Sequence, residues 1–258
     1  MTGQFVKRYS NEGARRRAEE NYRWLAGLQS PLLLPQMRAA TGRDLCFERI
    51  DGRHADPGDL PMLAALLGDV HGTAYSRQLR DARLGQPFQT PDGHVLPSFP
   101  GGRVDAMARE LEAGSVPGAG FTVAQAQRLL ADADGPAAFY KDANPRNFLI
   151  TPAGTLVTID FDDLTLAPFG YDLAKLVVTL AMTHGPLPAA LTAAALIPYN
   201  TATAAHSGAL PGVTWDKLMN WAEIHHILTS RYAADGRYAH QWNEARPPGQ
   251  PTGETIWP

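Results

Sequence analysis

The chain has 258 residues, 44% of them hydrophobic, with 23 basic and 26 acidic side chains, enough to bury a sizeable core in one or two domains. A net charge of −3 excludes the basic footprint of a nucleic-acid binder, and the absence of a membrane-length apolar run excludes a helical membrane protein. A lone cysteine, Cys46, excludes an intramolecular disulfide framework, and with no signal peptide the sequence predicts a cytoplasmic location.

Phe5-Val6-Lys7-Arg8-Tyr9 predicts a short strand, and Asn11 predicts the cap of a helix running to about Leu28 with Ala14, Ala18, Tyr22 and Leu25 on one side. The Arg15-Arg16-Arg17 run in that helix is interleaved with Glu12, Glu19 and Glu20 and reads as a solvated face. Met37–Ala40 and Asp44–Ile50 flank Thr41-Gly42-Arg43 as a hairpin, and Gly52 to Gly58 reads as a linker. The expected organisation is a small β-rich lobe over residues 1–52 and a larger helical lobe over 53–258.

Asp59 is the expected cap of a long amphipathic helix from Leu60 to Leu79. Residues 85–120, rich in Pro and Gly, predict a mostly irregular segment with one helix near Val104–Leu111. Further helices are expected from Thr122 to Ala133, Tyr171 to Thr183, within 187–206, and Trp215 to Ala233, with an irregular tail from Pro247. The Asn147-led run Phe148-Leu149-Ile150, the turn at Pro152-Ala153-Gly154 and the strand Leu156–Ile159 make a hairpin that ends at Asp160.

That hairpin carries the most specific chemistry. Asp142, an asparagine five positions later at Asn147, and Asp160 across the turn form a phosphoryl-transfer set. A loop aspartate orients or deprotonates an attacking hydroxyl, while an amide oxygen and a strand-end carboxylate offer hard ligands to Mg²⁺ on nucleotide phosphates. Asp and Asn favour turns and strand ends for their own sake, but turn chemistry does not account for the three together.

The segment Tyr140-Lys141-Asp142-Ala143-Asn144-Pro145-Arg146-Asn147 resembles the catalytic loop of the aminoglycoside phosphotransferase family, His-Gly-Asp-x-His-Pro-x-Asn. Ile159-Asp160-Phe161-Asp162-Asp163 and Asp172-Leu173-Ala174 are similar to its metal segment and the Asp-Leu-Ala that follows. Tyr140 and Asn144 stand where the family has histidines. The resemblance implies an α+β, bilobal, protein-kinase-like fold, with Asp142 as catalytic base, Asn147 and Asp160 as metal ligands, and ATP or GTP with Mg²⁺ as cofactors.

It also implies that Lys7 contacts the nucleotide phosphates and pairs with a helix glutamate, Glu19 being preferred to Glu20, and that the Glu48 carbonyl and Ile50 amide read the adenine edge. Only six residues precede Lys7, so the strands and glycine-rich turn that cover the phosphates in kinase-like folds have no room, and a reduced small lobe is expected. The function implied is transfer of a γ-phosphoryl group to a hydroxyl of a small molecule, for antibiotic resistance or self-protection. A metabolic kinase of choline, amino-alcohol or sugar type, or a nucleotide-binding pseudokinase, are the alternatives.

Four other sites are weighed. His225 and His226 are adjacent on a helix, point about 100° apart and do not chelate one ion together. His71 is expected to be structural, Asp172 a loop anchor, and Asp162 a lesser metal candidate. From Gly170 onward the acids and bases nearly balance, while Trp215, Trp221, Tyr232, Tyr238 and Trp242 offer stacking surface. That composition favours a nucleoside-type or macrolide acceptor over a polycation.

Overall fold

The computed structural model describes residues 3–247, so the expected irregular tail beyond Pro247 lies outside the described residues. Strand β1 (Gln4–Arg8) leads into helix α1 (Glu12–Gly27), whose first turn is closed by Asn11: its Oδ1 accepts from the Ala14 amide at 2.8 Å. β2 (Met37–Thr41) and β3 (Asp44–Glu48) turn at Gly42, which adopts φ +54°. β3 lies between β1 and β2 in an antiparallel three-stranded sheet. Alternation along β3 sends Leu45 and Phe47 inward, where the Phe47 ring packs on Tyr22 of α1 and on Phe161. β1 stands at the sheet edge, with Phe5 and Val6 more than half exposed at 55% and 51%.

β4 (Arg53–His54) follows Gly52, where a Cβ would lie 2.8 Å from the Ile150 carbonyl oxygen; only glycine lets the chain pass this close. Helix α2 (Leu60–Ala74) is entered through a 3-10 turn over Pro57–Asp59 and extended by a π-helical turn over Tyr75–Leu79. The expected Asp59 cap does not form. The helical path begins a turn earlier, so Asp56 caps it, accepting from the Gly58 amide at 2.8 Å, while Asp59 accepts from the Asp56 amide and grips Arg53.

The Pro- and Gly-rich stretch holds a short hairpin, β5 (Phe88–Gln89) with β6 (Val95–Leu96), before α3 (Arg103–Glu112) and α4 (Val123–Ala131), which Thr122 caps as expected. β7 (Ala137–Tyr140), the hairpin of β8 (Phe148–Ile150) and β9 (Leu156–Thr158), and β10 (Thr165–Pro168) surround the motif residues. β7 pairs with β10, and β8 lies between β9 and β4. α5 (Tyr171–His184) is buried from Tyr171 to Met182, and α6 (Ala189–His206), α7 (Trp215–Ala234) and α8 (Trp242–Ala245) complete the helical part.

One helix crossing bears directly on the site. A Cβ at Gly68 of α2 would fall 2.4 Å from the Tyr199 carbonyl oxygen of α6, so glycine is what lets the two backbones meet. Their contact sets the Tyr199 hydroxyl 2.9 Å from Nδ1 of His71. Among the described residues, no helix is long and apolar enough to cross a membrane.

Candidate active site

Among the described residues, three non-glycine residues have positive φ: Gln29, Asp142 at +61° and Asp160 at +66°. Two of these are the aspartates of the phosphoryl-transfer set. A left-handed backbone at a non-glycine residue costs about 1–3 kcal/mol and persists where its surroundings impose it.

The imposing group at Asp142 is Asp172, fully buried at the start of α5. Its Oδ2 accepts from the Lys141 amide and its Oδ1 from the Ala143 amide, both at 3.0 Å, which clamps the chain on either side of Asp142. The Asp142 carbonyl in turn accepts from the Asn144 amide at 2.6 Å and from Asn147 Nδ2 at 2.8 Å. Behind Asp172, the Gly170 amide donates to the Tyr199 hydroxyl, which is also hydrogen-bonded to His71 Nδ1. His71 Nε2 then faces Asp172 Oδ2 at 3.7 Å. His71 and Asp172 thus occupy structural positions.

The Asp142 carboxylate is gripped by two residues that sequence reasoning missed. Its Oδ1 accepts from the Tyr140 hydroxyl at 3.0 Å and faces Lys175 Nζ at 3.4 Å. Burial, then the charge of Asp142, raises the Tyr140 phenol well above its ordinary value, so it stays a donor. Lys175 lies three residues after Asp172 on α5, on the same helical face; that spacing was the available signal.

Asn147 and Asp160 meet across the β8–β9 hairpin. The Ile159 amide donates to the Asn147 carbonyl at 2.9 Å, and Phe148 pairs with Thr158 in register. With Nδ2 of Asn147 bound to the Asp142 carbonyl, Oδ1 is the side-chain oxygen left to offer a cation. Asp160 Oδ1 lies 2.7 Å from Lys7 Nζ, and Asp162 Oδ2 lies 2.8 Å from the same ammonium. Burial opposes the charge on Lys7, but its bonds to Asp160 and Asp162 outweigh that and raise its pKa.

The expected Lys7–Glu19 pair is not formed. Glu19 bridges Arg15 and Arg23 along its own helix, each four residues away, and those arginines take both its oxygens. Asn21, also on α1, reaches the metal segment instead and donates to the carbonyls of Phe161 at 2.7 Å and Asp162 at 3.0 Å.

A pocket of 370 Å³ opens between the small sheet and the β8–β9 hairpin, with Lys7, Glu48, Ile50, Leu149, Asp160 and Phe161 among its lining residues. The Glu48 carboxylate is engaged by the neighbouring chain, its Oε1 accepting from the Gln36 amide at 2.9 Å. Among the described residues no three His, Cys, Asp or Glu side chains are arranged to hold a metal by themselves. Mg²⁺ asks for less, because it keeps several waters and binds through one or two protein oxygens plus substrate phosphates. The donor set fits it: Asp163 is held above its ordinary pKa by burial and then by the neighbouring Asp162, Asp142 and Asp160, a concentration of negative charge that a divalent cation relieves.

The two histidines of α7 do not converge. His225 Nε2 donates to the Tyr171 carbonyl at 2.9 Å and His226 Nε2 to the Pro117 carbonyl at 3.1 Å.

The profile of the phosphotransferase enzyme family (APH) matches residues 4–208. The chain belongs to this family. The phosphotransferase is similar to the amicoumacin kinase hAmiN in complex with AMP-PNP, Ca²⁺ and Ami, with a TM-score of 0.60 and 14% identity over 88% of this chain and 73% of the other. A choline/ethanolamine kinase family protein from Mesorhizobium loti gives 0.59 and 14%, over 95% and 83% of the two chains. The macrolide 2′-phosphotransferase MphH from Brachybacterium faecium gives 0.57 and 16%, over 97% and 85%. No curated protein matches. These likenesses show the kinase-like APH fold, and the chain is a small-molecule phosphotransferase of that family.

Proposed function

We propose that the phosphotransferase moves the γ-phosphoryl group of ATP or GTP to a hydroxyl of a small molecule. The observation that carries this is the 370 Å³ pocket, whose lining brings Glu48, Arg49 and Ile50 together with Lys7 and Asp160. In this reading the Glu48 carbonyl and Ile50 amide bind the base edge, and Lys7 holds the phosphates. Asn147 and Asp160 hold Mg²⁺, which supplies neutralisation of charge on the phosphates. Asp142, steadied by Tyr140 and Lys175, accepts the proton as the acceptor oxygen bonds to the γ-phosphorus and the nucleoside diphosphate departs.

The acceptor is proposed to be a hydroxylated antibiotic of nucleoside or macrolide type rather than a polycation. Supporting this, three arginines, Arg146, Arg231 and Arg237, stand in and after the catalytic loop. Arg146 lies over the Tyr238 ring, Arg231 and Arg237 lie over Tyr232, and Asn144 Nδ2 donates to the Tyr238 hydroxyl at 3.1 Å. Those guanidinium groups repel a polycation. Trp221 and Trp242 are core residues, whereas Tyr232 and Tyr238 are partly open, and the Tyr238 hydroxyl is the one that Asn144 of the loop reaches. A metabolic kinase is the second reading, favoured by the likeness to choline/ethanolamine kinase structures.

The test is incubation with ATP or GTP, Mg²⁺ and a panel of neutral and cationic hydroxylated compounds, read by mass spectrometry. A gain of one phosphoryl group on a neutral antibiotic supports the proposal. Efficient modification of kanamycin-like compounds, with a KM rising steeply with salt, overturns the acceptor class.

A further inference from the structure

We propose that Asp162, steadied by Tyr9, aims Lys7 at the nucleotide phosphates, the task a helix glutamate performs in kinase-like folds. The inference rests on the nucleotide reading of the Lys7 pocket and goes beyond it by giving Lys7 a partner from another part of the chain.

Lys7 Nζ sits 2.8 Å from Asp162 Oδ2, and the Tyr9 hydroxyl donates to the other oxygen, Oδ1, at 3.0 Å. The two carboxylate oxygens therefore have separate duties. Tyr9 lies two residues beyond Lys7, on the same side of the extended chain, and the ammonium stands 5.5 Å from its ring centroid. Burial and the charge of Asp162 raise the Tyr9 phenol, which keeps it protonated and donating.

The backbone of Asp162 is fixed as well. Asn21 of α1 binds its carbonyl and that of Phe161, so the helix that supplies the glutamate elsewhere here supplies a clamp on the aspartate. The helix acids are otherwise placed: Glu19 is held between Arg15 and Arg23, and Glu20 is exposed on the wall of a neighbouring cleft.

Asp160 also touches Lys7, but it cannot be the sole anchor. Its oxygens are needed with Asn147 for the metal, and a cation bound there competes with the ammonium for them. A second carboxylate two residues on lets Lys7 stay aimed while Asp160 serves the metal.

The experiment is a double-mutant cycle in the full chain, using Lys7→Met, Asp162→Asn and the double variant, with Tyr9→Phe and Glu19→Gln alongside. Calorimetric binding of ATP and of adenosine is measured, together with kcat and KM. Adenosine lacks the phosphates, so its retained binding reports an intact fold and base pocket.

Lys7→Met and Asp162→Asn are each expected to weaken ATP binding about tenfold and to lower kcat, leaving adenosine binding unchanged. The double variant is expected to match Lys7→Met alone, because Asp162 acts through the lysine. Tyr9→Phe should fall between wild type and Asp162→Asn, and Glu19→Gln should bind ATP as wild type does. Multiplying losses in the double variant overturn the proposal, since Asp162 then acts separately, as a metal ligand does. Wild-type ATP binding by Asp162→Asn beside a weakened Lys7→Met overturns it while sparing the nucleotide reading. If the wild-type chain binds neither ATP nor adenosine, both readings fall together.

Discussion

Asp172 brackets Asp142: its two carboxylate oxygens accept from the amides immediately before and after it, those of Lys141 and Ala143, at 3.0 Å each. A buried side chain on one helix thereby dictates the backbone of a loop residue distant in sequence. Asp172→Asn keeps the shape but sets an NH₂ against one of the two amides. It is expected to cost about 3 kcal/mol of stability in chemical denaturation, since a buried donor is left unpaired in a charge-assisted pair. The folded fraction should also show a kcat lowered at least about tenfold, as Asp142 leaves its left-handed conformation. Unchanged stability and turnover would show that the clamp is idle.

Asp142→Asn removes the proposed proton acceptor but not the carbonyl that Asn144 and Asn147 hold. Turnover is expected to fall by about two to four orders of magnitude with nucleotide affinity largely retained. Wild-type turnover in the purified variant would remove Asp142 from the chemistry.

Asp160→Ala should abolish metal-supported nucleotide binding, and Asn147→Ala should weaken it, because magnesium at such a site leans on few protein oxygens. Activity should vanish in chelator and return with added Mg²⁺. Full activity in excess chelator sinks the mechanism. The Asn147 variant carries a further cost, since its Nδ2 also supports the Asp142 carbonyl.

His225 is held well below its ordinary pKa, by burial first and then by the positive charge of Lys175. It is neutral in the folded chain and takes up a proton on unfolding below about pH 6.5, so its contribution is present above that pH and is lost as pH falls toward the lower folded value. The melting temperature is expected to drop as pH falls below that point. His225→Gln can still donate to the Tyr171 carbonyl but does not titrate, and should flatten the drop. Equal slopes for the two proteins would assign the acid loss to other groups.

The grouping of Asp142, Asn147 and Asp160 was legible because its signal is local: the three lie within one loop and one hairpin, whose turn residues fix their approach. Asn11 and Thr122 were legible for the same reason, a cap being written within one helical turn. The Lys7 partner was not legible. Glu19 fitted by sequence proximity, but its own helix offered two arginines at the right spacing, and the aspartate that took its place lies 155 residues beyond Lys7. β7 and β10 escaped because both are almost wholly buried and show no alternation, and β4, β5 and β6 are only two residues long.

Gly68 gives the α2–α6 crossing a role in turnover as well as in architecture. A side chain at that position acts as a wedge, and what it displaces first is Tyr199, whose hydroxyl is shared between the Gly170 amide and His71. Gly170 opens the helix that carries Asp172, and His71 faces the same carboxylate, so the disturbance arrives at Asp142 from two directions. A mutational lesion hidden between two helices would then present as a catalytic defect in a chain whose helical content is intact.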